Sequence, residues 1–117
     1  MHEASLAAGV LRIVSAAAAG KEERVVRVTV SVGELAGVMP EALVFAFDAL
    51  KKNTPFAGAS LSLERELVSA RCEDCGTEYF PRAFPYLCPS CGSNAFRIVR
   101  GEDVFVKKME LKKDEHC

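Results

Sequence analysis

Two cysteine pairs are the residues of this chain whose type and spacing could do chemistry. They are Cys72-Glu73-Asp74-Cys75 and Cys88-Pro89-Ser90-Cys91, with twelve residues between them and a glycine after each. Zn²⁺ takes four thiolates in a tetrahedron, and two cysteines in one tight turn supply an edge of it. Gly76 and Gly92 can adopt a positive φ, which lets each turn fold back and point backbone N–H groups at sulfur. The spacing predicts a closed structural zinc site. Its ligands are Cys72, Cys75, Cys88 and Cys91.

Two other uses of these cysteines fit the same spacing. Four thiolates also bind iron, as in a rubredoxin-like electron-transfer site, and the colour of the protein would distinguish the metals. Two disulfides would need an oxidising compartment, which a signal peptide would indicate. The apolar opening segment carries Glu3 and is interrupted by Arg12, unlike a signal peptide, so disulfides are disfavoured. No run approaches the roughly 18 uncharged residues needed to span a bilayer. We therefore expect a cytoplasmic protein with reduced thiols. Cys117 is expected to be a spectator.

The charge of the chain is balanced along its length. Eight basic and eight acidic residues precede Cys72, and seven basic and eight acidic residues make up the rest. Nucleic acid is thus not expected as the main partner, because phosphate binding needs a clustered basic face. A nucleic-acid-binding zinc ribbon is still the alternative that a salt-dependent gel shift would favour. An enzyme is not expected, since no nucleophile–base pair, phosphate loop or pair of catalytic carboxylates is recognisable.

Hydrophobic periodicity predicts the elements that position the cysteines. Helices are predicted at 4–19 and 40–52, each with a stripe of apolar residues on one face. Ile13 belongs to the first stripe and Leu50 to the second. Strands are predicted at 24–32, where alternate valines share one face, at 60–69, 96–99 and 104–111. This order predicts a two-layer α/β (α+β) domain with a three-stranded sheet and two helices, plus a small zinc-ribbon module. Residues 1–69 and 102–117 would form the α/β domain, and 70–101 an insertion before its last strand.

Four aromatic residues occupy the loop between the cysteine pairs: Tyr79, Phe80, Phe84 and Tyr86. They could form a platform for nucleic-acid bases or a protein partner. The favoured interpretation is that they pack over the metal-binding turns, because a loop of this length cannot build a separate core.

The chain opens with Met1-His2-Glu3. The Met1 amine, the His2 amide and the His2 imidazole can chelate one ion, and the Glu3 backbone or carboxylate could complete the set. A near-planar nitrogen set of this kind suits Ni²⁺ or Cu²⁺ better than Zn²⁺. A solvated terminus without metal is the more common state of such a sequence. The other histidine, His116, is next to last.

These features together resemble the HypA/HybF family of nickel metallochaperones in [NiFe]-hydrogenase maturation. The resemblance rests on the MHE start, the valine-rich strand that leads into Val32-Gly33-Glu34-Leu35, and the late pair of CxxC motifs. It covers essentially the whole chain. It implies a nickel-binding α/β domain, with Ni²⁺ as cargo, and a separate zinc domain.

By this resemblance, His2 is the principal nickel ligand, with the Met1 amine and Glu3 in the same site, and the four cysteines bind structural zinc. The implied partners are the GTPase HypB, the hydrogenase large subunit and, as for some members, urease accessory proteins. Neither nucleic acid nor a membrane is implied, and monomer and homodimer both fit the sequence. The chain departs from the family at Pro40, where an acidic side chain could have joined the nickel set, with Glu41 as a stand-in.

Overall fold

The structure, a computed structural model, describes residues 3–112. Its helices are α1 (Glu3–Ala17) and α2 (Pro40–Lys51). Its strands are β1 (Val25–Gly33), β2 (Ser60–Glu66), β3 (Ser69–Cys72), β4 (Glu78–Tyr79), β5 (Phe96–Arg100) and β6 (Val104–Leu111). They form two three-stranded sheets, with strand orders β2-β1-β6 and β4-β3-β5. The predicted fold class is confirmed, and so is the return of the last strand to the first sheet.

The first sheet is built around β1, which lies between β2 and β6. Val28 and Val30 are fully buried, as the alternation of valines predicts. Thr29 and Ser31, on the opposite face, are buried as well. Both faces of β1 are therefore buried at these positions, so polar residues at alternate positions do not mark a solvated face here.

The two helices supply the apolar core of the same part of the chain. Leu43 and Phe47 of α2 are fully buried, and α2 begins at Pro40, where proline suits the first turn. The buried stripe of α1 continues past the helix end, and it consists of Ala7, Val10, Val14 and Ala18. The predicted stripes were therefore too wide, because Ile13 and Leu50 are 56% and 42% exposed.

The strand predicted at 60–69 is interrupted, and its prediction as one element was wrong. β2 ends at Glu66 and belongs to the first sheet, whereas β3 begins at Ser69 and belongs to the second. Val68 lies in the gap, where its N–H has no ladder partner and donates instead to Glu34 Oε1 at 2.7 Å. Glu34 Oε2 pairs with Arg65 Nη2 at 2.8 Å. A side chain thus satisfies the backbone where the chain changes sheets.

The chain divides into two compact units. Within the described residues, the first contains 3–31, 37–64 and 105–112, and the second contains Val32–Ala36 and Arg65–Val104. The second unit takes in more of the chain than the predicted insertion at 70–101. The division into nickel and zinc domains stays a prediction.

A close backbone approach in the second unit explains why β1 ends in a glycine, Gly33. A Cβ built on Gly33 would lie 2.3 Å from both the carbonyl carbon and the oxygen of Gly101. The Leu35 N–H donates to the same Gly101 oxygen at 2.8 Å, so this oxygen is held in place. No side chain fits without moving one backbone segment away from the other.

We expect Gly33→Ala to lower the free energy of unfolding by about 2 kcal/mol, the usual cost of a steric insertion into packed structure. Denaturant unfolding followed by circular dichroism measures it. Gly58→Ala is the matched control, because a Cβ at Gly58 meets nothing within 4 Å. Equal stability of the two variants would contradict the close approach.

Candidate metal centre

Each cysteine pair forms a knuckle, a tight turn that the glycine after it closes. The Gly76 N–H donates to the Cys72 oxygen at 3.0 Å, and the Gly92 N–H donates to the Cys88 oxygen at 2.8 Å. Both glycines have positive φ, 80° and 76°, a conformation that other residues rarely adopt. The two knuckles are therefore near copies of each other, as the repeated CxxCG sequence predicts.

Backbone N–H groups point at the first sulfur of each knuckle. The Cys75 N–H donates to Cys72 Sγ at 3.5 Å, and the Ser90 N–H donates to Cys88 Sγ at 3.4 Å. Such bonds favour the charged thiolate over the thiol. The predicted turn geometry is confirmed in both knuckles.

The four sulfur atoms converge on one point. They all lie within 4.8 Å of one another, and the contacts between knuckles are 3.5 Å for Cys72–Cys91 and 3.6 Å for Cys75–Cys88. A tetrahedron with Zn–S bonds of about 2.3 Å has sulfur–sulfur edges of about 3.8 Å. A disulfide would need about 2 Å. The four are free thiols, and their arrangement fits a tetrahedral zinc ion.

The pKa values of the cysteine thiols are shifted by their neighbours in the cluster. A hydrogen bond from the Thr77 hydroxyl lowers the pKa of Cys75 to about 6. The Cys75 N–H lowers the pKa of Cys72. At Cys91 the Ser93 N–H also acts to lower the pKa, but the neighbouring thiols and burial outweigh it and raise the pKa to about 12. The shifts differ in direction from one thiol to the next, and a divalent cation among the four would favour the thiolate form of each.

Hydroxyl groups that were not predicted from the sequence connect the knuckles. Thr77 Oγ1 lies 3.2 Å from Cys75 Sγ and 3.3 Å from Ser90 Oγ in the other knuckle. Ser93 donates to Asp74 across the same junction. When Cys75 is a thiolate, the Thr77 O–H can donate to its sulfur while the Ser90 O–H donates to Thr77. The sequence does carry a signal for this, because a hydroxyl residue follows the glycine of each knuckle.

We expect Thr77→Val to weaken cobalt(II) binding roughly tenfold, because removal of a group that supports a metal ligand typically has such an effect. The variant keeps the side-chain shape and loses only the hydroxyl. Competition with a chelator, followed by the thiolate-to-cobalt absorption band, measures it. Thr77→Ser is the control and should bind like the parent; a valine variant that also does so would refute the role of the hydroxyl.

Of the predicted nickel residues, only Glu3 lies within the described part of the chain. Its Oε2 accepts a hydrogen bond from the Met39 N–H at 3.1 Å, which ties the first turn of α1 to the residue before α2. Met1 and His2 lie outside the described residues, as do His116 and Cys117. Within 3–112, the cysteine cluster is the one group of three or more His, Cys, Asp or Glu side chains placed to hold a metal.

Glu41, the suggested stand-in, lies in the first turn of α2 and lines a groove of about 490 Å³ with Phe45 and Leu63. Between residues 3 and 112, it therefore joins no metal-binding cluster.

The aromatic residues of the ribbon divide into two groups. Tyr79 is buried, and the Tyr86 ring lies 5.1 Å from the ring of Phe96. These two pack against the ribbon, as predicted. Phe80 and Phe84 are 64% and 79% exposed, so the predicted packing was wrong for them.

In the part of the chain that the structure describes, neither helix is long and apolar enough to cross a membrane.

The fold and the site define a small α/β protein with a four-cysteine metal ribbon. Residues 1–111 match the sequence model of a family described as "Hydrogenase/urease nickel incorporation, metallochaperone, hypA". The chain belongs to this HypA family. The family consists of metallochaperones rather than enzymes, in agreement with the sequence prediction.

Individual proteins are similar over nearly the whole chain. The hydrogenase maturation factor HypA of Geobacter metallireducens is 39% identical over 111 residues, which are 95% of this chain and 99% of that protein. The protein of the same name from Aquifex aeolicus is 37% identical over 97% of this chain and all of its own length. The solution structure of the Ni metallochaperone HypA from Helicobacter pylori is 25% identical, with a TM-score of 0.71 over 97% of this chain and 100% of that one.

Proposed function

We propose that this protein binds Ni(II) at its amino terminus and delivers it during [NiFe]-hydrogenase maturation, while a structural zinc ion holds the ribbon. The nickel ligands are Met1, His2 and Glu3, and the zinc ligands are Cys72, Cys75, Cys88 and Cys91. The observation that carries the proposal is the family match over residues 1–111, which includes both the amino-terminal tripeptide and the ribbon. Nickel incorporation is the activity in that family's description.

The chemistry of the first residues suits the cargo. The amine, the deprotonated amide and the imidazole are nitrogen donors that can surround Ni²⁺ in a near-planar set. The hydrogen bond between Glu3 and the Met39 N–H occupies one carboxylate oxygen. Glu3 thus holds the start of α1 beside Met39, and it completes the nickel set through its backbone or its carboxylate.

A carrier must release its ion on contact with the acceptor. A chelate at the end of a chain can be displaced one donor at a time when a partner offers better ligands. Binding releases protons from the amine, amide and imidazole, so the affinity for nickel should fall as the pH falls. HypB and the hydrogenase large subunit are the proposed partners in the cytoplasm. Urease accessory proteins are proposed as further recipients of the nickel ion. A homodimer is compatible with this role.

We expect His2→Ala to abolish stoichiometric nickel binding, because it removes the imidazole from the chelate, and to leave zinc content and secondary structure unchanged. Equilibrium dialysis with nickel and metal analysis measure both. His116→Ala, which removes the other histidine of the chain, is the matched control and should bind nickel normally. Unchanged nickel affinity of the His2 variant would remove the nickel assignment.

The structural role of zinc follows from the size of the ribbon core. Its cluster of buried residues is Ala70, Cys72, Tyr79 and Cys88, with Phe96 and Ile98 packed against it. Two of the four buried residues are thiol ligands, so little apolar packing is available without the metal. Small modules of this kind take most of their folding free energy from the ion.

We expect Cys72→Ala to lose zinc and to unfold the ribbon, because the tetrahedron loses a buried ligand. Metal analysis should show the loss, and amide NMR signals of β3, β4 and β5 should collapse while those of α1 and α2 persist. Cys117→Ala is the control and should keep about one zinc per chain. A native spectrum and native zinc content in the Cys72 variant would overturn the site, and a red preparation would indicate iron instead.

A further inference from the structure

The loop between the knuckles presents an apolar surface that the proposed metal sites do not use. Phe80, Phe84 and Leu87, here called the aromatic ridge, are each more than half exposed. Scattered exposed apolar residues are ordinary on protein surfaces, but a contiguous group marks an interaction site. These three lie within eight consecutive residues of one short loop.

The ridge is anchored on both sides. Tyr79 precedes it and Cys88 follows it, and both side chains are buried. Within the loop, the ring of Phe84 lies 4.9 Å from that of Tyr86, which in turn packs on Phe96 of β5. A partner would therefore meet an ordered surface, and binding would lose less conformational entropy than binding to a free loop.

Phe80 lines two hollows in the protein surface. One, of about 360 Å³, is lined by Leu67, Val68, Phe80 and Arg82 together with Glu34. The other, of about 400 Å³, is also lined by Phe80, Pro81 and Arg82 and includes Leu87. Leu67 is itself 54% exposed and extends the apolar surface beyond the loop. Apolar side chains of a partner could enter both hollows at once.

The charge of this surface selects the partner. Arg82 is the sole charged residue between Tyr79 and Cys88, and among residues 3–112 it forms no ion pair. Glu34, at the edge of the same hollow, is already bonded to Arg65 and to the Val68 N–H. The apolar surface therefore carries one positive charge that no neighbour neutralises. One arginine is too little for a phosphate backbone, which needs several cations.

We propose that the aromatic ridge docks a partner protein whose contact segment places carboxylates beside leucine or aromatic side chains. The apolar side chains fill the hollows beside Phe80, and a carboxylate pairs with Arg82. Aromatic residues and arginine are the side chains that contribute most to protein interfaces. This docking site shares no residue with the proposed nickel site, and its test needs no nickel.

The test is fluorescence polarisation of the full zinc-loaded chain with two labelled synthetic peptides of equal length. Both share one pattern of leucine and phenylalanine; the polar positions are aspartate and glutamate in one and lysine and arginine in the other. We expect the acidic peptide to bind at least about tenfold more tightly than the basic one. Phe80→Ser should weaken its binding by about tenfold, as for the loss of an interface anchor, because Phe80 lines both hollows.

Phe45→Ser is the matched control, since Phe45 is 76% exposed on α2 in the first unit, and it should leave binding unchanged. Arg82→Glu should reverse the preference between the peptides, which tests the charge without touching the apolar residues. Equal binding of both peptides, or equal loss in the Phe45 variant, would overturn the proposal. So would salt-dependent binding of labelled oligothymidine alone, because it assigns the ridge to nucleic acid. Sedimentation that shows self-association lost in the Phe80 variant would also overturn it, because this assigns the ridge to a second copy.

Discussion

The second compact unit depends on the convergence of four thiol groups that would not stay together as anions by themselves. Their sulfur atoms lie within 4.8 Å of one another, a distance at which several negative charges repel strongly unless a cation lies between them. The surrounding groups lower the pKa of Cys75 to about 6 but raise that of Cys91 to about 12. A cation bound at this centre would therefore couple the fold of the ribbon to its charge. The rest of the unit, from the knuckle turns to the buried Tyr79, is arranged around that centre.

The sequence predicted most reliably what local chemistry dictates. Two CxxCG motifs indicated both the turns and their positive φ values, since few other residues can close such a turn over sulfur. The valine alternation in β1 and Pro40 at the start of α2 also gave correct elements. What failed was which side chains face the core: Ile13 and Leu50 are apolar and exposed. The choice between neighbouring apolar positions depends on how the helices pack, which periodicity alone does not encode.

Two other features depend on contacts between distant parts of the chain. The break between β2 and β3 is stabilised by Glu34, which is 34 positions from Val68. The packing of the half-buried Tyr86 depends on Phe96, a strand residue that follows the second knuckle, whereas Phe80 and Phe84 are exposed. Neither pairing leaves a trace in local sequence. The hydroxyl residues after the knuckle glycines could have been predicted, because a hydroxyl residue follows the glycine in both motifs.

The route of the chain between its compact units has a consequence for dissection by truncation. The backbone passes from one unit to the other four times, at 31/32, 36/37, 64/65 and 104/105. A fragment cut around the cysteines would lack Val32–Ala36, and with it Glu34 and the glycine that fits against Gly101. The remaining piece would in turn end inside strands of its own sheet. Neither unit is one continuous segment of the chain. Exchange of the second unit between relatives would therefore require the transfer of both of its segments, Val32–Ala36 and Arg65–Val104.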